Sequence, residues 1–324
     1  MVAGAYVLRR VLLAVPTVVG VTAITFLLLM LTIGNYVPGL ELNSNIRPED
    51  IARLRQNMGL DRPLAVQYGV WLWGVLHGDF GRSLIDGAPV LTHILQRLPN
   101  TLELTVAALV LGVAAGIPIG TVAALRRGSA VDSALTAISV AGFALPQFWI
   151  GLIAVLIFSV SFKAWGLPWF PAGGVISPVG GGDPIDRLIH LVLPASVLSF
   201  RYLSVWSRYT RSGMIEALNQ DYVRTARAKG LTEYRVVLVH ALRNSLLPLV
   251  TLAGLELPGL VSGSVVIEVV FGWPGIGRLA FERAMQYDYT VVLGITTFAA
   301  FLVVLGNLLA DLLYATLDPR VGQK

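Results

Sequence analysis

Histidines stand at positions 77, 93, 190 and 240, lysines at 163, 229 and 324, and there is no cysteine. The missing thiols exclude disulfides, thiolate metal sites and cysteine nucleophiles. The histidines are scattered, with no H-E-x-x-H and no G-x-S-x-G around them, so neither a zinc hydrolase nor a serine hydrolase is encoded and no metal site is expected. A phosphate-binding loop needs a lysine in G-x-x-x-x-G-K-[ST], where its ammonium reaches the phosphates. None of the lysines follows a glycine in that pattern, so the chain is expected to bind no nucleotide and to be no enzyme. What is left is charge in apolar surroundings. Glu256 lies inside a long hydrophobic stretch, while His190, Glu268 and Asp311 lie nearer the ends of such stretches. Ion-coupled carriers use chains of such groups, and one central carboxylate makes a poor relay. That carrier remains the rival class. Glu256, and Asn307 in the last hydrophobic stretch, are the polar residues placed to line a translocation path.

These residues sit in an unusually apolar chain. Of 324 residues 55% are hydrophobic and 13% charged, against about 25% charged in soluble domains, and the mean hydropathy is +0.73. Val11–Ile33 (23 residues), Leu104–Leu125 (22) and Thr290–Ala310 (21) carry no charge. Each is long enough for a helix rising about 1.5 Å per residue to cross a hydrocarbon core of about 30 Å. Ala134–Phe162, at 29 residues, is long enough to tilt or to bend at Pro146. Leu246–Phe271 spans despite Glu256 and Glu268, and Leu188–Val205 is the weakest candidate because of Arg201. An all-α polytopic membrane protein with six transmembrane helices is expected. The first stretch exceeds the usual h-region of about 7–15 residues and no A-x-A-like site follows it, so it reads as a retained helix rather than a signal peptide.

Basic residues set the orientation. Arg9 and Arg10, Arg126 and Arg127, and the series Arg208, Arg211, Arg224, Arg227, Lys229, Arg235 and Arg243 fall on one side, and the opposite connections are poorer. The positive-inside rule places that side, and both termini, in the cytoplasm. The segment from Gly34 to about Asn100 is then external. Its spacing at Leu60, Leu64, Tyr68, Trp71 and Leu72 predicts an amphipathic helix, followed by turns at Gly78, Gly81 and Gly87. In "FGWPGIGRLAFERAMQYDY", Pro274, Gly275 and Gly277 break the helix leaving the fifth span, which predicts an outer cap or gate rather than a seventh crossing.

The stretch "DYVRTARAKGLTEYRVVLVHALRNSLLP", Asp221 to Pro248, puts a basic, interrupted helix between two spans. Met214, Ile215, Leu218 and Tyr222, continued by Val223 and Ala226, predict one apolar face. Gly230 supplies a left-handed cap, Thr232 a new N-cap with Glu233 against the helix dipole, and Leu231, Tyr234, Leu238 and Leu242 a second stripe. A surface helix on anionic lipid, a DNA-binding helix-turn-helix and a docking element for a cytoplasmic partner all fit such a pattern. Its position between spans speaks against nucleic acid.

"DYVRTARAKGL" with "HALRNSLLP" resembles the coupling loop of bacterial ATP-binding-cassette import permeases of the dipeptide/oligopeptide/nickel branch. The generic loop reads E-A-A, three residues, then Gly; here Arg224, Thr225, Ala226 and Gly230 hold those places, and His240, Ala241, Leu242 and Arg243 stand for I-x-L-P. "GLDRPLAVQY", "GDFGRS", "RLPNTLEL", "GSVVIEVVFGWPGIGRL" and "NLLADLLYATLDPR" extend the resemblance over nearly the whole chain. It implies a type I importer permease fold, the first of two paired permease subunits. The implied coupling surface is Asp221, Tyr222, Arg224, Thr225, Ala226, Arg227, Lys229 and Gly230, in a loop of about 207–245. Implied partners are a second permease subunit, two ATPase subunits that bind ATP and magnesium, an extracytoplasmic substrate-binding protein and membrane lipid, all in a bacterial plasma membrane. The expected division is an N-terminal helix and external segment (1–100), a core with five spans (101–314) and a short tail (315–324). Peptide is the expected cargo, with nickel or another small solute as the alternative.

Overall fold

The computed structural model describes residues 2–33, 61–178, 180–246, 249, 253–254, 256, 259–260 and 264–317, with side chains described between 12 and 310 of these. Among them there is no β-strand, only an isolated antiparallel bridge between Arg82 and Pro89. The helices form two compact units, Met1–Pro99 with Gly275–Lys324, and Asn100–Pro274.

In the first unit, α1 (Val2–Ile33) packs along α11 (Tyr289–Leu317). The predicted amphipathic helix is α2 (Leu64–Leu76), which buries none of its residues fully; Leu60 lies outside the described residues. Tyr68 fixes α2 to α1 through its hydroxyl, 2.9 Å from that of Thr22, and donates to the Val19 carbonyl at 3.1 Å. Phe26 completes a ring cluster with Tyr68 and Trp71 at 5.6 and 5.8 Å. The loop after α2 is clasped to α10 (Ile276–Met285) and the start of α11 by polar groups. Ser83 donates to the fully buried Asp288 at 2.6 Å, and Arg283 donates to Asp86 at 2.6 Å.

The second unit holds the larger part of α3 (Val90–Leu125), then α4 (Ala130–Ala144), α5 (Gln147–Ala164), α6 (Pro184–Leu218), α7 (Asp221–Ala228), α8 (233–245) and α9 (Val265–Val270). Proline decides one boundary. The stretch 134–162 is not one bent helix: α4 stops at Ala144, Leu145 is extended at φ −86°, ψ 134°, and α5 starts after Pro146. The proline ring disfavours helical backbone in the residue before it, and Leu145 takes the extended alternative. Residues 155–161 of α5 are π-helical.

Five helices among the described residues, α1, α3, α5, α6 and α11, are long and apolar enough to cross a membrane. Of the 26 residues in the stretch 246–271, 11 lie outside the described residues, all of them between 247 and 263. The weakest expected span turns out to be the centre of its unit. The most apolar window of α6 has a mean hydropathy of 1.5 and is 61% buried, whereas the other four reach 1.7 to 2.4 and are 11% to 33% buried. A helix wrapped by protein needs less hydrocarbon on its surface, and α6 carries Ser199, Ser204, Ser207 and Thr210 inside. Glycines let α3 approach it. A Cβ at Gly112 would stand 2.4 Å from that of Tyr202, one at Gly116 2.9 Å from that of Trp206, and one at Gly120 2.3 Å from the Ser207 carbonyl oxygen. Small residues four apart permit such backbone contact between membrane helices.

Candidate functional site

The interrupted basic segment begins where α6 ends. The structure corrects the expected continuous helix there: α6 runs to Leu218, the chain turns at Asn219 and Gln220, and α7 starts at Asp221. Asp221 places its charge in the first turn of α7, where the helix dipole favours an anion, and Arg227 lies in the last. The C-terminus closes by a Schellman motif. Gly230, at φ +75°, donates its N–H to the Arg227 carbonyl at 2.9 Å, and Leu231 donates to the Ala226 carbonyl at 3.3 Å.

One face of α7 is anchored. Val223 and Ala226 are buried in a cluster with Met214 and Ala217 of α6, Ala124 of α3, and Val236, Val237 and Ala241 of α8, with Leu231 and Leu242 packed against it. The cluster bears out Ala226 on the apolar face and corrects Tyr222, which was expected there too. Ala226 faces its own chain and cannot offer its side chain to a partner. Tyr222 is 40% exposed and does not continue the apolar stripe. The second stripe is shifted as well: Tyr234 is 75% exposed and Leu238 37%, while Val236, Val237 and Ala241 are buried. The cause is the π-helical stretch Val236–Leu242, whose i→i+5 bonding brings positions four and five apart onto the buried face.

The other face of α7 is polar and open. Tyr222, Arg224, Thr225, Arg227, Lys229 and Gly230 are exposed, as is Asp221. The Thr225 hydroxyl donates to the Asp221 carbonyl at 2.9 Å and Arg224 reaches Asp221 at 3.4 Å. Arg227 makes a two-bond pair with Glu233 across the glycine turn, at 2.6 and 3.1 Å. The Arg227 guanidinium thereby lowers the Glu233 carboxyl from its ordinary value. Thr232 holds the N-cap position of α8 without a side-chain cap bond, so the pair takes over the bracing that the cap was expected to give. Sequence spacing did not single out Glu233 as Arg227's partner, because six residues across a turn is not a helical interval. The result is a small polar platform on a hydrophobic mount, with no catalytic grouping. No group of three or more His, Cys, Asp or Glu capable of holding a metal occurs among the described residues.

The other expected site residues are separate from this platform. Glu256 has helical backbone and is half-buried, and its carboxyl makes no hydrogen bond or ion pair with a described residue. A Cβ on Gly259 would stand 3.9 Å from its Oε2. Asn307 is exposed on α11. The carbonyl of Pro274 accepts from Asn100 Nδ2 at 2.9 Å, beside Trp273, whose indole N–H donates to the Asn100 carbonyl at 2.8 Å. Arg187 pairs with Glu103 and donates to Asn100 Oδ1 at 2.8 Å. Gly275 caps α10 and Gly277 is buried in its first turn. At 10 residues α10 is half the length a crossing needs. The other groups considered for an ion relay have their own local partners: His190 Nδ1 is 2.8 Å from the Asp186 carbonyl, and the fully buried Glu268 accepts from Thr101 at 2.9 Å. The side chain of Asp311 lies outside the described residues.

Comparison with known proteins gives concordant matches. Residues 116–323 match the family described as "Binding-protein-dependent transport system inner membrane component", and residues 4–105 match the corresponding N-terminal family. The oligopeptide transport system permease protein AppB of Bacillus subtilis (strain 168) is 43% identical over 98% of this chain and 99% of its own. The dipeptide transport system permease protein DppB of Escherichia coli (strain K12) is 39% identical over 98% and 99%. A putative peptide transport system permease protein of Brucella abortus (strain 2308) is 40% identical over 98% of each. A crystal structure of an amino acid ABC transporter with histidines is 16% identical and covers 70% of this chain and 94% of its own, with a TM-score of 0.49.

Proposed function

The chain belongs to the binding-protein-dependent transport system inner membrane components, a family of multi-pass membrane permeases, and we propose that it forms half of the path of a peptide importer. Peptide is the cargo named for its relatives in Bacillus and Escherichia, and the chain has no cluster of histidines or thiols that would relay a metal. In this reading an extracytoplasmic binding protein delivers the peptide. A second permease subunit encloses the path, and two ATPase subunits bind ATP and magnesium, because this sequence has no phosphate-binding loop. Both termini and α7 lie in the cytoplasm, in keeping with the arginine distribution. Pro274, Gly275 and Gly277 belong to the outer cap, and Glu256 and Asn307 line the path.

The observation that carries the reading is the two-sidedness of α7. A partner that grips its polar face moves the helix. The buried Val223 and Ala226 oblige the end of α6 to follow, since sliding them out would expose apolar surface at about 25 cal/mol per Å². Chemical energy released elsewhere can so be delivered to a spanning helix as displacement, and the permease contributes only shape and motion. Single cysteines in this cysteine-free chain test it. A cysteine at Thr225 is expected to cross-link to the ATPase subunit and to react with an impermeant reagent from the cytoplasmic side alone. One at the buried Ala226 is expected to do neither. An intact, ATP-hydrolysing complex in which Thr225→Cys gives no cross-link would refute the docking.

A further inference from the structure

A groove of about 280 Å³ runs between α3, α4 and α6. Ala123, Leu135, Val140 and Phe143 give it an apolar lining, with Arg208 and Arg211 on the α6 side. Its polar floor is already satisfied, because the hydroxyls of Ser139 and Ser207 bond to each other at 2.7 Å. The two arginines differ. Arg211 is held by Asp132 through two bonds of 2.7 and 2.8 Å, which cancels its charge. Arg208 stacks over the Phe143 ring at 5.7 Å and forms no ion pair with a described residue. Arg126 and Arg127 follow Ala123 at the end of α3, exposed and also without ion pairs among the described residues. This is the end of α3 that carries Ala124, which packs with Val223 of the coupling helix α7. The groove therefore opens beside the coupling element, and it combines hydrocarbon-like walls with an uncompensated guanidinium.

We propose that the groove is a binding site for an anionic phospholipid, one acyl chain lying against Val140 and Phe143 and the phosphate paired with Arg208. The charge balance selects this occupant. A helix of a partner protein would bring no obligatory negative charge, whereas an anionic lipid brings one joined to an apolar tail. Basic pockets between membrane helices on the cytoplasmic side hold such headgroups. Arg208 and the coupling cluster share one helix, α6, so an occupied groove would hold α6 and α4 together one to two turns before the mount of α7. The leaflet rests on the cytoplasmic placement of α7 proposed above; the lipid class rests on the groove alone.

The test uses the complete transporter, delipidated in detergent and exposed to phosphatidylglycerol or to phosphatidylcholine of the same chains, with retained lipid counted by native mass spectrometry. The wild-type complex is expected to retain phosphatidylglycerol over phosphatidylcholine by about fivefold for the single cation. Arg208→Gln should bring the ratio close to one, Arg208→Lys should largely keep it, and Arg62→Gln, which removes a charge that does not line the groove, should leave it unchanged. Equal retention of the two lipids by the wild type overturns the proposal, and so does an equal loss in Arg62→Gln. So does a cross-link from a cysteine at Val140 to the second permease subunit, since the groove would then be covered by protein. The wild-type ratio decides even if a variant fails to assemble. Lipid retention is read without transport, so a failure here leaves the cross-linking test of the import reading untouched.

Discussion

Gly230 takes a left-handed backbone, and nothing lies within 4 Å of where its Cβ would stand. Substitution there is penalised by backbone conformation alone. A β-branched residue in that region costs about 1–2 kcal/mol, and asparagine, which tolerates the conformation, costs less. Gly230→Val is therefore expected to lower the thermal midpoint of the assembled transporter and slow ATP-driven uptake, and Gly230→Asn to do so less; equal effects would place the fault in side-chain contact instead. Asp132 makes a different kind of prediction. The Arg211 guanidinium and the Gly128 N–H hold its carboxyl far below its ordinary 3.8. A carboxyl so lowered stabilises the fold at all pH above the ordinary value, and the contribution is lost only as pH falls toward the lowered one. Between pH 5.5 and 8 the pair should stay charged. Asp132→Asn is expected to reduce the thermal midpoint by the same amount at both limits, and a loss confined to the higher pH would contradict the assignment.

Among the elements, the α3–α6 contact has the least freedom. A methyl on Gly120 would meet the Ser207 carbonyl at 2.3 Å and the Thr210 Cβ at 2.8 Å, atoms that cannot rotate away. Gly120→Ala should cost about 1–3 kcal/mol, as overpacking does, read as a lower thermal midpoint of the purified complex. Gly20 in α1 has nothing within 4 Å, so Gly20→Ala should be neutral or stabilising by up to about 1 kcal/mol. If both substitutions behaved alike, close approach would not be what Gly120 serves. Such contacts explain what could and could not be read from the sequence at this scale. Gly230 acts on its own neighbours, so its effect was legible, and Pro146 was legible as a disturbance although the helix ends there rather than bends. The break at Asn219–Gln220 was not, because nothing local forbids helix there; it is imposed by burial of Val223 and Ala226 against Met214 and Ala217. The stripe through Tyr234 and Leu238 assumed a 3.6-residue turn, and the π-helical bonding of 236–242 altered the period.

At the scale of the whole molecule, what the sequence displayed best was its class, since long uncharged stretches and biased arginines depend on bilayer thickness and charge rather than on contacts. The interrupted helix after α6 was legible as a place, and Val223 and Ala226 as its apolar side, whereas the exposure of Tyr222 was not. In the import reading proposed above a second subunit completes the path, and Glu256 is where that matters. Its carboxyl, half-buried and without a hydrogen bond to a described residue, costs about 2.5–3.5 kcal/mol in hydrocarbon, so it should meet water, cargo or the partner subunit. Glu256→Gln keeps its shape and removes its charge. We expect uptake of peptides with a free ammonium or cationic side chains to fall relative to acidic ones, by about tenfold at most for one screened charge. Unchanged proportions across cationic, neutral and acidic peptides, in a complex that assembles normally, would remove Glu256 from the path.

The length of α6 has a mechanical consequence. Its 35 residues extend about 52 Å at 1.5 Å per residue, and α7, proposed above to take the stroke, is fastened to its far end. Pro194 lies inside it and is buried, and a helix tilting as one rigid rod about that packed point would have it as a fulcrum. From Pro194 to Leu218 the arm is about 36 Å, so a tilt of about 10° at the proline swings the coupling end by about 6 Å. The shorter arm, from Pro194 back to Pro184, moves less than half as far in the opposite sense. A stroke at one membrane face would then reach the other reduced in distance and multiplied in force, as a crowbar delivers it.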